Sequence, residues 1–239
     1  MNWQLRPARD LGLQPSERLR SHGRESGLGS TLLHGAWRRL VRLEMALLHR
    51  LEVTGRENLP AQPPYLLIAN HSSHLAALAF TAALRGEAAR RAHSLAAGDT
   101  FFASTSAAMF AAYAVNALPV WRKKVRPKDL ATLRARLIED ELVFILFPEG
   151  TRSRDGTMGS FMPGLGALVA ASDVPVVPCW LDGAFAAWPP HHRLPRPGKL
   201  RLRIGTPLRF VEAANERAGW TAVATRCEAA VRDLGGVAP

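Results

Sequence analysis

Two short segments carry the residue types that chemistry needs, and each follows directly on an apolar run. The first is Asn70-His71-Ser72-Ser73-His74, after Pro64–Asn70 (PYLLIAN). A histidine between a strand and a helix presents its imidazole at the carboxyl edge of a sheet. Its near-neutral pKa suits it to accept a proton from a hydroxyl. The second is Phe147-Pro148-Glu149-Gly150-Thr151-Arg152-Ser153-Arg154, closing the run Leu142–Phe147 (LVFILF). Gly150 lets the backbone turn and approach a ligand, Thr151 adds a hydroxyl, and Arg152 offers the planar fork that grips phosphate bidentately. Glu149 is costly so near a sheet unless it pairs with a cation or binds a substrate hydroxyl.

The elements that position these segments follow from the apolar patterning. Pro64–Asn70, His93–Ala97, Leu142–Phe147, Val174–Leu181 (VPVVPCWL) and Lys199–Ile204 read as strands. Helical stretches are predicted over Leu75–Leu84, Phe101–Val115, Pro127–Glu141, Gly164–Ala171 and Val211–Leu234, with Pro127 suited to a first helical turn. Trp188–Pro197 reads as a loop. Strands alternating with helices predict an α/β fold, a mixed and largely parallel sheet flanked by helices. Residues 1–30 read as a flexible basic leader, 31–52 as an amphipathic helix near a membrane, and 53–239 as the main domain. On that helix Leu33, Trp37, Leu40, Val41, Leu47, Leu48 and Leu51 share one face, and Arg38, Arg39, Arg42 and Arg50 lie opposite. Glu44 interrupts the apolar face. A cationic helix of this kind suits anionic lipid headgroups, and equally an ordinary docked helix.

Composition narrows the classes. The 239 residues carry 31 Lys+Arg against 20 Asp+Glu, a net charge of +11, so an anionic partner is expected. With 47% hydrophobic residues the chain can bury a core. Only two tyrosines, and no run interleaving Arg with aromatics, argue against nucleic acid. Cys179 and Cys227 cannot build a disulfide framework or a thiolate metal site, and His191-His192 reads as surface, so no metal is expected. No apolar stretch reaches the ~18–20 residues that span a bilayer, and the N-terminus lacks a signal-peptide core. The expectation is a peripheral protein on the cytoplasmic face of a membrane.

Four segments in order make the chain resemble the glycerophospholipid acyltransferases, the 1-acylglycerol-3-phosphate acyltransferase-like family. They are His71 with its following residues, Asn116–Arg122 (NALPVWR), Phe147–Ser153 (FPEGTRS) and Val174–Pro178 (VPVVP). The resemblance implies transfer of a fatty acyl group from acyl-CoA or acyl carrier protein, as co-substrate and with no other cofactor, to a lysophospholipid hydroxyl. It makes His71 the general base. Arg152 and Arg122 would hold the acceptor phosphate, with Glu149 and Gly150 shaping the pocket. Asn70, Ser72, His74, Thr151 and Pro178 complete the expected substrate contacts.

One departure stands out. Five residues after His71, where the family carries an aspartate, this chain has Ala76. In serine hydrolases, losing the carboxylate that orients the imidazole costs about 10⁴ in rate although the geometry survives. Three accounts stay open: an impaired variant of an active enzyme, a substitute carboxylate such as Asp99, or a part played by His74. A non-catalytic lipid-binding or membrane-associated scaffold of the same fold is the rival from another class. A second departure is Met162, where relatives carry a basic residue after the phenylalanine; it reads as apolar lining.

Overall fold

The computed structural model describes residues 7–25, 27–121 and 126–237. In chain order the elements are α1 (Pro15–Leu19), α2 (Leu28–Leu47), β1 (Glu52–Thr54), β2 (Tyr65–Ala69), α3 (Leu75–Ala83), α4 (Gly86–Arg91) and β3 (Ala92–Ala97). Then come α5 (Gly98–Phe101), α6 (Thr105–Met109), β4 (Ala117–Val120), α7 (Pro127–Glu139), β5 (Val143–Leu146) and α8 (Gly164–Val169). The last are β6 (Ser172–Asp182), α9 (Ala184–Ala187), β7 (Arg201–Ile204), β8 (Leu208–Phe210) and α10 (Arg217–Gly235). The sheet runs β1-β7-β6-β2-β5-β3-β4, with β8 on β6. Strands β2 to β6 are mutually parallel, and β6 is antiparallel to β7 and β8. The expected α/β fold is therefore the observed one.

Successive strand side chains alternate between faces, and this assigns each residue to one of two packed layers. Tyr65, Leu67 and Ala69 of β2 enter one layer with Val143, Ile145, Val177 and Cys179, beneath α3 and α4. Leu66 and Ile68 enter the other with Phe144, Val174 and Val176, beneath α7, α8 and α10. From β2 the chain crosses β5 to reach β3 by way of α3 and α4. From β5 it crosses back over β2 to β6 by way of α8. The two connections leave on opposite faces, so the junction of β2 and β5 is a switch point, where open parallel sheets bind ligands at the strands' carboxyl ends.

Three expectations change. Residues 7–25 are docked on the domain instead of forming a solvated leader. Arg136 Nη1 donates to the carbonyls of His22 (2.6 Å) and Arg24 (2.9 Å), and Arg24 Nη2 donates to that of Ala117 (2.8 Å). Guanidiniums satisfying main-chain oxygens hold the segment without an apolar pattern. The stretch Phe101–Val115 is broken into α5, α6 and a π-helical turn, Phe110–Ala114, with Ser104 capping α6. The last helix begins at Arg217 and not at Val211, since residues 211–216 turn the chain after the strand Leu208–Phe210.

Helix α2 is also turned differently from its expected orientation. Val41 and Met45 are buried and Trp37 packs beside them, but Leu40, Leu43 and Leu47 point outward. Arg38 and Arg42 are half-buried, and Arg42 Nη2 donates to the carbonyl of Leu84 (2.6 Å) at the end of α3. The last carbonyls of a helix have no internal partner, and a long guanidinium from a neighbouring helix supplies one. Glu44 is accounted for by the wholly buried His49, whose Nε2 lies 2.9 Å from its Oε1.

Gly166 marks the closest approach of α8 and α10, since a Cβ there would overlap the main chain of Trp220. Gly166→Ala should cost roughly 1–3 kcal/mol by overpacking. Thermal unfolding would then show Tm lowered by about 2–4 °C per kcal/mol for a chain of this size. An unchanged Tm would mean that the helices separate freely.

Candidate active site

Strand β2 ends at Ala69, and the next side chain extends the sheet's own bonding. Asn70 Nδ2 donates to the carbonyl of Leu181 (3.1 Å), and Leu181 N–H donates to Asn70 Oδ1 (2.8 Å). Both ends of the amide are thus spent on β6. Asn70 is buried, and its amide pins the end of β2.

His71 follows and is held on three sides. Its N–H donates to Glu149 Oε1 (2.6 Å), its carbonyl accepts from Ser153 N–H (2.8 Å), and its ring stacks on Phe147 with centroids 4.3 Å apart. Ser73 Oγ donates to the carbonyl of Trp188 (2.8 Å) and accepts from Leu75 N–H (3.2 Å), which ties the start of α3 to the loop after α9. The His74 ring lies 5.3 Å from Trp188 and 6.1 Å from Phe101. Burial, and then the nearby Arg152 charge, push its pKa below the ordinary value.

The second segment turns tightly: Gly150 N–H donates to the Phe147 carbonyl (3.1 Å) at a φ of +71°, a conformation that favours glycine. Met162 covers this turn. Its N–H donates to the Pro148 carbonyl (2.9 Å), and its sulfur sits where a Cβ on Gly150 would go. Glu149 accepts from two main chains, His71 N–H at Oε1 and Gly159 N–H at Oε2 (2.8 Å). Burial raises its pKa, and these two bonds oppose the rise. The carboxylate near the sheet is thus stabilised by backbone donors, which the sequence reading did not foresee. Ser153 Oγ and Thr157 donate to Asp155, holding that carboxyl down to about 2.

Arg152 is different. Its buried Nη1 has no hydrogen-bond partner among the described residues, and burial lowers its pKa. A half-buried guanidinium with an unmatched donor is a ready anion cradle.

The structure therefore gathers His71, His74, Glu149, Gly150 and Arg152 at the carboxyl ends of β2 and β5. Ser72 is buried beside them, and Thr151 is exposed. Pro178 is buried inside the sheet opposite Ile68, with its carbonyl taken by Gly205 N–H (2.8 Å). Asp99 is exposed on α5. Arg122 lies outside the described residues. Ala76 is only 1% exposed, within the apolar cluster that holds Phe80 and Phe147. Phe147 as the imidazole's stacking partner, Gly159 and Trp188 were missed; the last two lie in loops, and no local spacing marks them.

A histidine thus stands at one strand end and a guanidinium with an unmatched donor at the next. The sequence matches the acyltransferase family model over residues 50–182. The chain belongs to the acyltransferase family. The bovine 1-acyl-sn-glycerol-3-phosphate acyltransferase alpha is 25% identical over 175 residues, 70% of this chain and 59% of that protein. The chain thus spans under two thirds of that relative's length. A 1-acyl-sn-glycerol-3-phosphate acyltransferase of Limnanthes douglasii is 42% identical over 67 residues, 28% of this chain and 21% of its own. The crystal structure of the 1-acyl-sn-glycerophosphate acyltransferase PlsC from Thermotoga maritima shares the fold. Its TM-score is 0.66 at 20% identity, covering 87% of this chain and 80% of that one.

The Arg152 cradle makes a measurable claim through His74. Its folded pKa lies below the ordinary 6.5, so its share of stability is lost as pH falls from that value towards the folded pKa. An anion on Arg152 cancels part of the repulsion, so inorganic phosphate should move the His74 NMR titration upward. A titration indifferent to phosphate would remove Arg152 as the cradle.

Proposed function

We propose that this chain moves a fatty acyl group from acyl-CoA or acyl carrier protein to the free hydroxyl of a lysophospholipid such as 1-acylglycerol-3-phosphate. The observation that carries the reading is the buried, unpartnered Nη1 of Arg152 in the turn bonded to His71. Arg152 binds the acceptor phosphate and so brings the acceptor hydroxyl to the imidazole. His71 takes the hydroxyl proton as the oxygen attacks the thioester carbonyl. The C–O bond forms, the C–S bond breaks, and the thiol leaves with the proton. A thiolate is a good leaving group, so positioning and proton removal are most of what the protein supplies. Glu149 acts here as a positioning residue, because both its oxygens already hold main-chain donors. The printed names of the bovine and Thermotoga maritima relatives support the choice of acceptor.

Ala76 bears on the rate. An aspartate at this 1% exposed position would be buried, and a buried carboxylate is tolerated when paired with an imidazolium. Thiol release from acyl-CoA with lysophosphatidic acid should therefore rise in Ala76→Asp by about 10²–10⁴ over the native chain, while Ala76→Asn gains little. Equal rates for the native and aspartate forms would mean that another group already serves His71. The scaffold reading is favoured by the same apolar setting of Ala76; it predicts lysophospholipid binding with no thiol release even in Ala76→Asp.

We also propose that α2 rests on an anionic membrane surface at the cytoplasmic face. Leu40, Leu43 and Leu47 form an outward apolar stripe, and among the described residues no helix is long and apolar enough to cross a membrane. Leu40→Glu with Leu47→Glu should lower partitioning onto anionic vesicles by roughly tenfold or more. Undiminished partitioning would take the membrane away from this face.

A further inference from the structure

At the opposite end of α3 from His71, four arginines line one cavity of about 380 Å³. Arg38 and Arg42 come from α2, Arg56 from the short 3₁₀ turn after β1, and Arg85 from the residues following α3. The nine residues of α3 span roughly 13 Å at 1.5 Å each, so this cavity is separate from the site at Arg152.

Two of these guanidiniums have structural tasks. Arg42 Nη2 donates to the Leu84 carbonyl (2.6 Å) and Arg56 Nη1 to the Ala83 carbonyl (2.5 Å), at the end of α3. Each guanidinium has five N–H donors, so most of their capacity is unspent. Arg38 Nε is buried with no hydrogen-bond partner among the described residues. Among the described residues no aspartate or glutamate forms an ion pair with any of the four. Glu44 is engaged with His49, and Glu87 with Arg90 and Arg91. The carboxyl end of α3 contributes only about half a negative charge, far short of four cations. Burial and mutual repulsion push Arg38 and Arg56 below the usual arginine range.

Like charges gathered around a cavity cost free energy unless an anion completes them. We propose that this cavity binds the phosphate group of a phosphomonoester or phosphodiester, at a site distinct from the acyl-transfer cleft. Arg38 and Arg85, which cap no carbonyl, grip it. Arg42 and Arg56 add charge from their capping positions. The cavity has two accessible sources of such a group. Ala46 lines it and adjoins the outward Leu43 and Leu47, which suits a lipid headgroup; a small soluble phosphate is the other.

The test measures binding and needs no turnover, so it stands whether or not acyl transfer is correct. All proteins carry Arg152→Gln, which removes the unmatched guanidinium of the acyl-transfer cleft. The probes are inorganic phosphate by calorimetry, and phosphatidylcholine vesicles with and without phosphatidylglycerol by co-sedimentation. Arg38→Gln with Arg85→Gln should weaken binding of at least one probe by about tenfold or more. The control Arg217→Gln with Arg226→Gln removes the same charge from exposed positions on α10, away from α2, and should leave that binding within about twofold. Circular dichroism and Tm establish that both pairs are folded, and Arg38→Lys with Arg85→Lys should recover part of the binding. Loss of vesicle binding alone assigns a lipid headgroup; loss of phosphate binding alone assigns a soluble phosphate. Loss of both assigns a site open to either. Equal behaviour of the cavity pair and the control pair, or no binding of either probe, overturns the proposal.

Discussion

Glu149 joins the two motif segments through the main chain. One carboxylate oxygen holds His71 N–H and the other holds Gly159 N–H, while His71 returns its carbonyl to Ser153. Strand ends are normally where the chain is least constrained, because the ladder stops and its donors lose their partners. Here a charged acceptor takes those donors, and charge-assisted bonds are the stronger kind. The histidine backbone, the glycine turn and the arginine that follows it are consequently placed relative to one another with few free torsions. The raised pKa of Glu149 records the burial that this arrangement requires.

The apolar surroundings of His71 follow from the same junction. Phe147, the last residue before the turn, stacks on the imidazole, and Phe80 of α3 lies 6.2 Å from Phe147 between ring centroids. Ala76 belongs to this layer, and a small apolar residue suits such a core position better than an isolated charge. Arg152 stands apart from this layer, in the turn after the other strand end.

Arginine does much of the joining in the amino-terminal half. Arg24 and Arg136 tie the docked leader to β4 and α7, and Arg42 and Arg56 close the end of α3. A guanidinium reaches far and donates in several directions, so it satisfies main-chain oxygens where no strand or helix can. The net charge of +11 is therefore not all surface charge awaiting a partner. Among the described residues, buried guanidinium donors without a hydrogen bond include Arg152 at one end of α3 and Arg38 in the four-arginine cavity at the other.

The α/β class was legible in the sequence, because five short apolar runs bounded by turn residues alternate with longer helical stretches. The two motif segments were legible too, since His71 and FPEGTRS adjoin runs that must be buried. Only the tertiary structure decided what each polar group faces. Asn70 and Pro178 turned inward to the sheet, Glu149 found main-chain donors, and α2 presented leucines outward with two arginines inward. Those outcomes depend on which carbonyls and amides other elements leave unsatisfied at a distance in sequence. Local periodicity carries no record of them, because an unmet hydrogen bond exists only once the helices and strands have been brought together.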